Sequence, residues 1–370
     1  MNILIFNWRD IKNPEAGGAE VFTHEIARRL VEKKHHLTVL TSGFKGCAGE
    51  EIVDGVKIIR RGNKFTTYIA CAIYYLNHLA NDFEVIIDEI NGNFPWFIPL
   101  YARNKPLVIA LRHQIEFDGF GEYQSSVLAH EVNPITGHLL NYFELFYLLL
   151  YRALGVKFLT VSKSSKAALM KLGFKPEMVK VLYNSVGFKP LNDVPMKEPN
   201  PVIIYVGRLT KAKRVDHAIR AYDLIRAKHP NTALWIVGQG YFRDQLEKMA
   251  GNGVTFLGYV SEIKKRALLG KAWVLVYPSV REGFGISVIE ANAMGTPCVA
   301  YDVPGLRDSV QNGSTGLLAK SGKVNSLAKE ILKVLENEEL RQRLSNNALQ
   351  YSRTFSWDKT ARDLIGFFQN

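Results

Sequence analysis

The sequence predicts an α/β fold of two doubly wound, Rossmann-like units facing a cleft, on three observations. Strand-length apolar runs alternate with amphipathic helical stretches from Ile3 to Leu182. The stretch from Asn184 to Pro201 then carries Pro190, Pro195, Pro199 and Pro201 and has no apolar period. The alternation restarts at Val202 and runs past Tyr301. Alternation of this kind builds a mostly parallel sheet covered by helices.

In the first half, Ile3–Phe6 reads as a buried strand because its apolar run is unbroken. Ala19–Lys33 reads as a helix, with Val21, Phe22, Ile26, Leu30 and Val31 on one face. Leu37–Thr41, Val56–Arg60, Val85–Asp88, Leu107–Leu111, Phe158–Val161 and Val179–Leu182 read as further strands. The proline-bearing stretch is an interdomain linker. Beyond it, strands are expected at Val202–Val206, Ala233–Val237, Val254–Leu257, Val274–Tyr277 and Cys298–Tyr301. Helices are expected at Val215–Arg226, Phe242–Met249, Gly285–Met294 and Val324–Leu335. The closing stretch, Trp357–Phe368, is amphipathic. The predicted division is residues 1–186 as an acceptor-binding unit and 187–353 as a nucleotide-sugar-binding unit. Residues 354–370 form a helix that packs back on the first unit.

Composition narrows the function classes. The 370 residues are 47% hydrophobic and 22% charged, enough for two folded cores and no long disordered segment. Lys and Arg exceed Asp and Glu by 47 − 35 = 12, which suits an anionic partner: a phosphate-bearing substrate or an anionic membrane surface. The basic residues form only small clusters, at Lys33–Lys34, Arg60–Arg61, Lys211–Arg214 and Lys264–Arg266. With no nucleic-acid motif present, a nucleic-acid partner is not expected. Cys47, Cys71 and Cys298 are too far apart for a zinc site or a disulfide framework. The apolar run Phe143–Leu150 is far short of a membrane span. A cytoplasmic protein is expected, with peripheral attachment at the inner face of the cell membrane as the alternative that Tyr142–Tyr151 suggests.

Four segments carry chemistry. Gly17-Gly18-Ala19-Glu20 lies where the first strand turns into the first helix, so the backbone can approach a ligand and the helix N-terminus suits a phosphate. A flexible loop is the plainer reading. Gly207-Arg208 ends the first strand of the second unit, followed by Lys211, Lys213 and Arg214; this combination suits a diphosphate. Gly238-Gln239-Gly240 has Arg243 where a dinucleotide fingerprint has its third glycine. Glu282-Gly283-Phe284-Gly285-Ile286 enters a helix that carries Glu290, so a carboxylate sits at each end of a glycine-bearing helix start. Two hydroxyl-binding carboxylates and an ordinary charged helix start both fit this spacing. In the first unit His113 follows the strand Leu107–Leu111, a position for an acid–base or hydrogen-bonding group. Glu116 and Asp118 follow it at a spacing unlike a metal site.

Together these segments resemble glycosyltransferase family 4, the retaining nucleotide-sugar transferases of the GT-B fold. GGAE at 17–20, VGRLTKAKRVD at 206–216, IVGQG at 236–240 and EGFGISVIEANAMGTPCVAYDVPGLRDSV at 282–310 occur in that family's order. The resemblance implies roles for single positions. Gly17 and Gly18 approach the donor phosphates; Arg208 and Lys213 hold the diphosphate. Glu290 binds the donor ribose, and Glu282 and His113 lie near the transferred sugar. Gly238, Gly283 and the backbone of Phe284, Gly285 and Ile286 complete the donor cradle. Ser162 and Asn184 match positions near the hinge. The chain departs from the family at Gln114, where relatives often have Asp, and at Ser185, where they often have Gly.

The resemblance further implies a hexosyl-type transfer from a UDP- or GDP-linked sugar to an acceptor hydroxyl, in glycan, glycolipid or cell-surface polysaccharide synthesis. The acceptor is a carbohydrate, a lipid-linked glycan or a small molecule. With no Asp-x-Asp pair in the sequence, no metal or other cofactor is expected. A sucrose-synthase-like or sugar-phosphate transferase, and a nucleotide-sugar-binding protein without turnover, share the same fold and signature.

Overall fold

The computed structural model describes residues 1–91, 94–115 and 134–369, with the side chains of 134–138 left aside; Glu116 and Asp118 lie outside the described residues. The chain divides into two compact units. The first is Met1–Asp118, Leu139–Asn184 and Ser356–Asn370, and the second includes Ser185–Phe355.

The first unit holds strands β1 (Asn2–Phe6), β2 (His36–Thr41), β3 (Glu50–Val53), β4 (Val56–Arg60), β5 (Val85–Glu89), β6 (Leu107–Leu111), β7 (Lys157–Thr160) and β8 (Val179–Val181). They form one sheet in the order β3-β4-β2-β1-β5-β6-β7-β8. Every pairing is parallel except β3 with β4. That hairpin turns at Asp54-Gly55, both with positive φ (49° and 80°), as a tight two-residue turn requires. Burial on both sheet faces explains why β1 and β5 read as unbroken apolar runs.

The Trp357–Gln369 helix belongs to this first unit. Its Trp357 ring meets Phe22 edge-on at 5.8 Å, its Asp358 pairs with Arg29 at 2.9 Å, and Thr360 donates to the Tyr183 carbonyl at 2.8 Å. The Pro134–Ala153 helix turns Tyr147, Leu148 and Tyr151 fully inward and leaves Leu139, Tyr142 and Phe146 exposed. Among the described residues no helix is long and apolar enough to cross a membrane.

The second unit holds β9 (Val202–Val206), β10 (Ala233–Val237), β11 (Val254–Gly258), β12 (Val274–Tyr277), β13 (Cys298–Tyr301) and β14 (Gly316–Ala319). Their order is β11-β10-β9-β12-β13-β14, and all pairs are parallel. One large core gathers both faces of this sheet. The linker is strapped onto this unit rather than hanging free. Leu191 donates its N–H to the Ala293 carbonyl, Arg353 donates to the carbonyls of Leu191 and Asn192, and Trp273 donates to that of Glu198. Lys197 is half-buried, with its ammonium on the carbonyls of Gly270 and Gly295 and the Thr296 hydroxyl, at 2.7–3.0 Å. Burial pulls this lysine down to about 7.

Both sheets reverse their winding at one point, between β1 and β5 in the first unit and between β9 and β12 in the second. In open α/β sheets ligands bind beyond the carboxyl ends of the strands at such a reversal.

Candidate functional site

In the first unit the reversal brings together the ends of β1 and β5. Past β1 the chain runs through Asn7–Ala16 and enters the Gly18–Glu32 helix. Gly17 is the residue before that helix, extended at φ −136°, and Gly18 is its first, exposed residue. A Cβ on Gly17 would meet nothing closer than 3.6 Å, so packing does not demand a glycine there. The first-turn N–H groups lack intrahelical partners, as at any helix start. The Gly17 N–H is taken by the Glu20 carboxylate, at 2.7 Å. Glu20 is itself buried and also accepts from Arg9 (3.2 Å) and Asn91 (2.6 Å).

His113 lies just past β6. Its Nε2 meets Glu89 Oε1 at 3.1 Å, and its ring stands edge-on to Phe22 at 5.1 Å. Glu89, the last residue of β5, is wholly buried. Its other oxygen accepts from Asn7 at 2.9 Å and from the Thr23 hydroxyl. Burial pushes the Glu89 carboxyl above its usual range, and the bonds to His113 and Thr23 pull it back. Ser162 caps the Lys163–Lys171 helix by accepting from the Ser165 N–H, and Asn184 is buried at the end of the first unit.

In the second unit the reversal joins the ends of β9 and β12. After β9, Gly207 and Arg208 lead into a short 3-10 turn, Lys211–Lys213, and the Val215–Arg226 helix. Arg208 is exposed and has no carboxylate partner among the described residues. Lys213 is mostly buried and its ammonium pairs with Glu282 Oε1 at 2.5 Å, in front of the Tyr277 ring. The buried rings of Tyr205 and Tyr277 stack at 5.8 Å beneath them. Both phenols are pushed well above their usual range, by burial first and the Glu282 carboxylate second, with Arg208 opposing. Arg208, Lys213 and Glu282 are therefore one electrostatic neighbourhood.

Glu282 is held by its backbone as well, donating its N–H to the Pro304 carbonyl at 3.2 Å. Gly305 makes that approach possible: it sits at φ +81°, and a Cβ there would lie 2.1 Å from the Glu282 carbonyl oxygen. Gly285 precedes the Ile286–Ala293 helix at φ +82°, leaving the first-turn N–H groups of Ile286 and Ser287 without intrahelical partners. Phe284 turns its ring inward against Phe355 at 5.4 Å, so this residue offers a ligand its backbone only. Glu290 lies within that helix and is largely buried. Burial raises its carboxyl, and the Lys265 ammonium, 2.8 Å away, counters the rise. Burial draws Lys265 down, but Glu290 and Glu262 outweigh it and the net shift is upward.

The structure thus gathers Arg208, Lys213, Glu282 and the 283–286 backbone in the second unit, and Gly17, Gly18 and His113 around one polar network in the first. Gly238 has a reason internal to the fold. At φ +136° its missing Cβ leaves room for the Gly207 carbonyl, which a side chain would meet at 1.9 Å, so it shapes the 207–208 turn. Sequence reasoning gave no individual role to Glu89, Glu20, Lys265 or Gly305. The first had a legible signal, since an acidic residue closing the buried run VIIDE is unusual in a central parallel strand. Among the described residues no group of three or more His, Cys, Asp or Glu side chains could hold a metal.

A family profile described as Glycosyltransferase Family 4 matches residues 16–187, and one described as Glycosyl transferases group 1 matches residues 191–351. The chain is 27% identical over 387 residues to an uncharacterized glycosyltransferase of Methanocaldococcus jannaschii, spanning 95% of this chain and 94% of that protein. Among solved structures it is similar to sucrose-phosphate synthase from Thermosynechococcus elongatus, with a TM-score of 0.78 at 19% identity over 100% of this chain and 98% of that one. It is also similar to Anabaena HepE in complex with UDP and glucose, with a TM-score of 0.73 at 18% identity over 99% of this chain and 98% of the other. At such identities the structural likeness speaks for the fold.

Proposed function

The chain belongs to glycosyltransferase family 4 and has its GT-B fold, and from that premise we propose that it transfers a sugar from a nucleotide diphosphate sugar to an acceptor hydroxyl, with retention and without a divalent metal. The carrying observation is the neighbourhood of Arg208, Lys213 and Glu282 at the winding reversal of the second sheet, beside the start of the Ile286–Ala293 helix. Two fixed cations and helix N–H groups suit a leaving diphosphate. A carboxylate beside them suits the hydroxyls of the transferred sugar, and Glu290 suits those of the ribose.

The bond from the anomeric carbon to the phosphate oxygen breaks and its electron pair leaves with the diphosphate. The acceptor oxygen bonds to the same face of that carbon, through an oxocarbenium-like transition state. Its proton passes to the departing phosphate oxygen. Arg208 and Lys213 bear the negative charge that grows there, the work a divalent metal does in other transferases. The family resemblance assigns His113 to the transferred sugar and the Gly17–Gly18 turn to the donor phosphates. A uridine nucleotide is the first donor to try, because HepE was solved with UDP.

The test is a panel of UDP- and GDP-sugars, screened first by thermal shift and then by nucleotide diphosphate release in EDTA. Activity in EDTA with the donor's anomeric configuration kept in the product is expected. Inversion, or activity that returns only on adding Mg²⁺ or Mn²⁺, sinks the corresponding part of the reading.

Peripheral attachment to an anionic membrane is the second part of the proposal. On the first unit Ile69, Ile73, Phe94, Tyr142 and Phe146 are exposed, and ring contacts run from Tyr68 through Phe94 and Phe143 to Phe146. An apolar surface on a chain with net charge +12 suits an anionic bilayer. Flotation with anionic liposomes at low salt is expected, and weakened by Ile69→Glu with Phe146→Glu. Absence of flotation refutes it.

A further inference from the structure

We infer that Glu89 is a positioning residue, fixing the His113 imidazole as its Nε2–H tautomer and tying it through one hydrogen-bonded chain to the Gly17–Gly18 turn. This rests on the reading above that His113 acts on the transferred sugar.

The chain of bonds is continuous. His113 Nε2 meets Glu89 Oε1 at 3.1 Å; Asn7 donates to Glu89 Oε2 at 2.9 Å; the Asn91 amide lies 3.4 Å from Asn7 Oδ1. Asn91 also donates to Glu20 at 2.6 Å, and Glu20 accepts the Gly17 N–H at 2.7 Å. Every link joins two pieces of backbone that emerge at the β1–β5 reversal or beside it. A rigid chain there holds the histidine and the glycine turn in one geometry.

The tautomer follows from a donor count. Oε2 of Glu89 faces two donors, the Asn7 amide and the Thr23 hydroxyl, and among the described residues Oε1 faces only His113. An ionised carboxylate has only acceptors to offer, so the bond forms when His113 Nε2 carries the proton. Nδ1 is then the nitrogen left for a ligand, and no described residue occupies it. The surroundings make this bond hard to replace. Glu89 is wholly buried. Phe22, Thr23 and Ile26 of the Gly18–Glu32 helix line a small apolar cavity beside it. Holding a functional imidazole by a carboxylate on its far nitrogen sets both its direction and its protonation site.

Glu89→Gln separates this role from mere packing. Glutamine has one oxygen and one NH₂. The arrangement that keeps most bonds turns the oxygen to Asn7 and Thr23 and the NH₂ to His113. The imidazole must then accept at Nε2 and carry its proton on Nδ1. The tautomer switches while shape and volume stay.

The experiment is two-bond ¹H–¹⁵N correlation on protein labelled at its nine histidines, with His113 assigned by its loss in His113→Gln. Wild-type His113 is expected as Nε2–H and the Glu89→Gln form as Nδ1–H. Turnover in Glu89→Gln is expected to fall about 10²-fold, with the donor KM within about twofold. A wild-type His113 protonated on Nδ1, or an unchanged tautomer in Glu89→Gln, overturns the proposal. If Glu89→Gln does not fold, the wild-type spectrum still decides. Wild-type turnover in His113→Gln is a separate failure. It removes His113 from the reaction, and with it the kinetic consequence claimed for Glu89, while the tautomer result is unaffected.

Discussion

Arg208 and Lys213 are both assigned to the donor diphosphate, yet their surroundings differ, and replacing each by alanine should produce two different signatures. Arg208 is exposed and pairs with no carboxylate among the described residues. Its loss is felt only when charge builds on the leaving group. The expected cost is about 10²–10³-fold in kcat, or about 3–4 kcal/mol of transition-state stabilisation. Folding stability should stay within about 0.5 kcal/mol of wild type. Lys213 is assigned the same duty but also neutralises Glu282, whose side chain is only 11% exposed. Lys213→Ala leaves that carboxylate partly buried and unpaired, at a cost of about 1–3 kcal/mol. In a domain of this size that lowers Tm by about 2–4 °C for each kcal/mol. Removing both partners in Lys213→Ala/Glu282→Ala should restore at least about 1 kcal/mol of the loss, because no orphan charge remains. Nucleotide diphosphate release at saturating donor gives kcat, and scanning fluorimetry gives Tm. Arg208→Ala turning over within threefold of wild type would refute the diphosphate role. An unchanged Tm in Lys213→Ala would refute the claim that the pair matters to the fold.

Three further outcomes follow from single contacts. Gly305→Ala puts a methyl 2.1 Å from the Glu282 carbonyl at a positive φ, so the 282–283 backbone must move; a loss of about 10²-fold in turnover is expected, and wild-type turnover in a folded protein would contradict it. Lys265→Met removes the cation that holds the Glu290 carboxyl down, so Glu290 rises further and the donor KM should climb as pH falls through the weakly acid range; a pH-independent KM in the variant would contradict the ribose role. Asp88, buried on Tyr151 and the Trp96 and Ile98 N–H groups, is raised by burial from 3.8 to about 6. Since the folded value lies above the unfolded one, its contribution is complete below the unfolded value and lost as pH rises through the folded one. Relative to Asp88→Asn, which does not titrate, wild-type stability in urea melts should decline by on the order of 3 kcal/mol from about pH 4 to pH 7, and parallel pH curves would contradict this.

How much of this was legible in the sequence depended on how burial writes itself into the chain. Strands buried on both faces, such as β1, β5, β9 and β12, read correctly because their apolar runs are unbroken. β3 was missed because an edge strand with alternating exposure, EEIV, has no such run, although Asp54-Gly55 marked its turn. The Thr67–His78 helix escaped for the opposite reason: TYIACAIYYL is apolar nearly all round, so no period of 3.6 appears. The linker was recognised by its prolines, but its tight seating depends on Lys197 reaching residues 73 to 99 positions away. At the candidate site, the motifs named the groups in the chain, and the side chains that hold them in place carry no such mark. Lys265 meets Glu290 across 25 positions and Glu89 meets Asn7 across 82, and no local pattern records such partners.

Those partners resolve an electrostatic difficulty in the motif itself. A site for a doubly charged diphosphate that carries Glu282 and Glu290 should repel its ligand. Each carboxylate instead arrives with its own lysine from another element: Lys213 at 2.5 Å from Glu282 and Lys265 at 2.8 Å from Glu290. With Arg208 added, three cations face two carboxylates, and the helix start adds positive potential. Glu282 should therefore weaken binding of the bare diphosphate product, which has no sugar hydroxyls for it to accept from, while aiding turnover of the full donor. Glu282→Gln removes one negative charge and frees Lys213. One charge at about 10 Å in a partly screened site is worth about 1 kcal/mol, a roughly fivefold change in Kd. Calorimetry with the nucleoside diphosphate should show Glu282→Gln binding it more tightly than wild type, even as turnover falls. If the variant binds the product more weakly, Glu282 serves the nucleotide rather than the sugar, and the division of labour between the two glutamates is wrong.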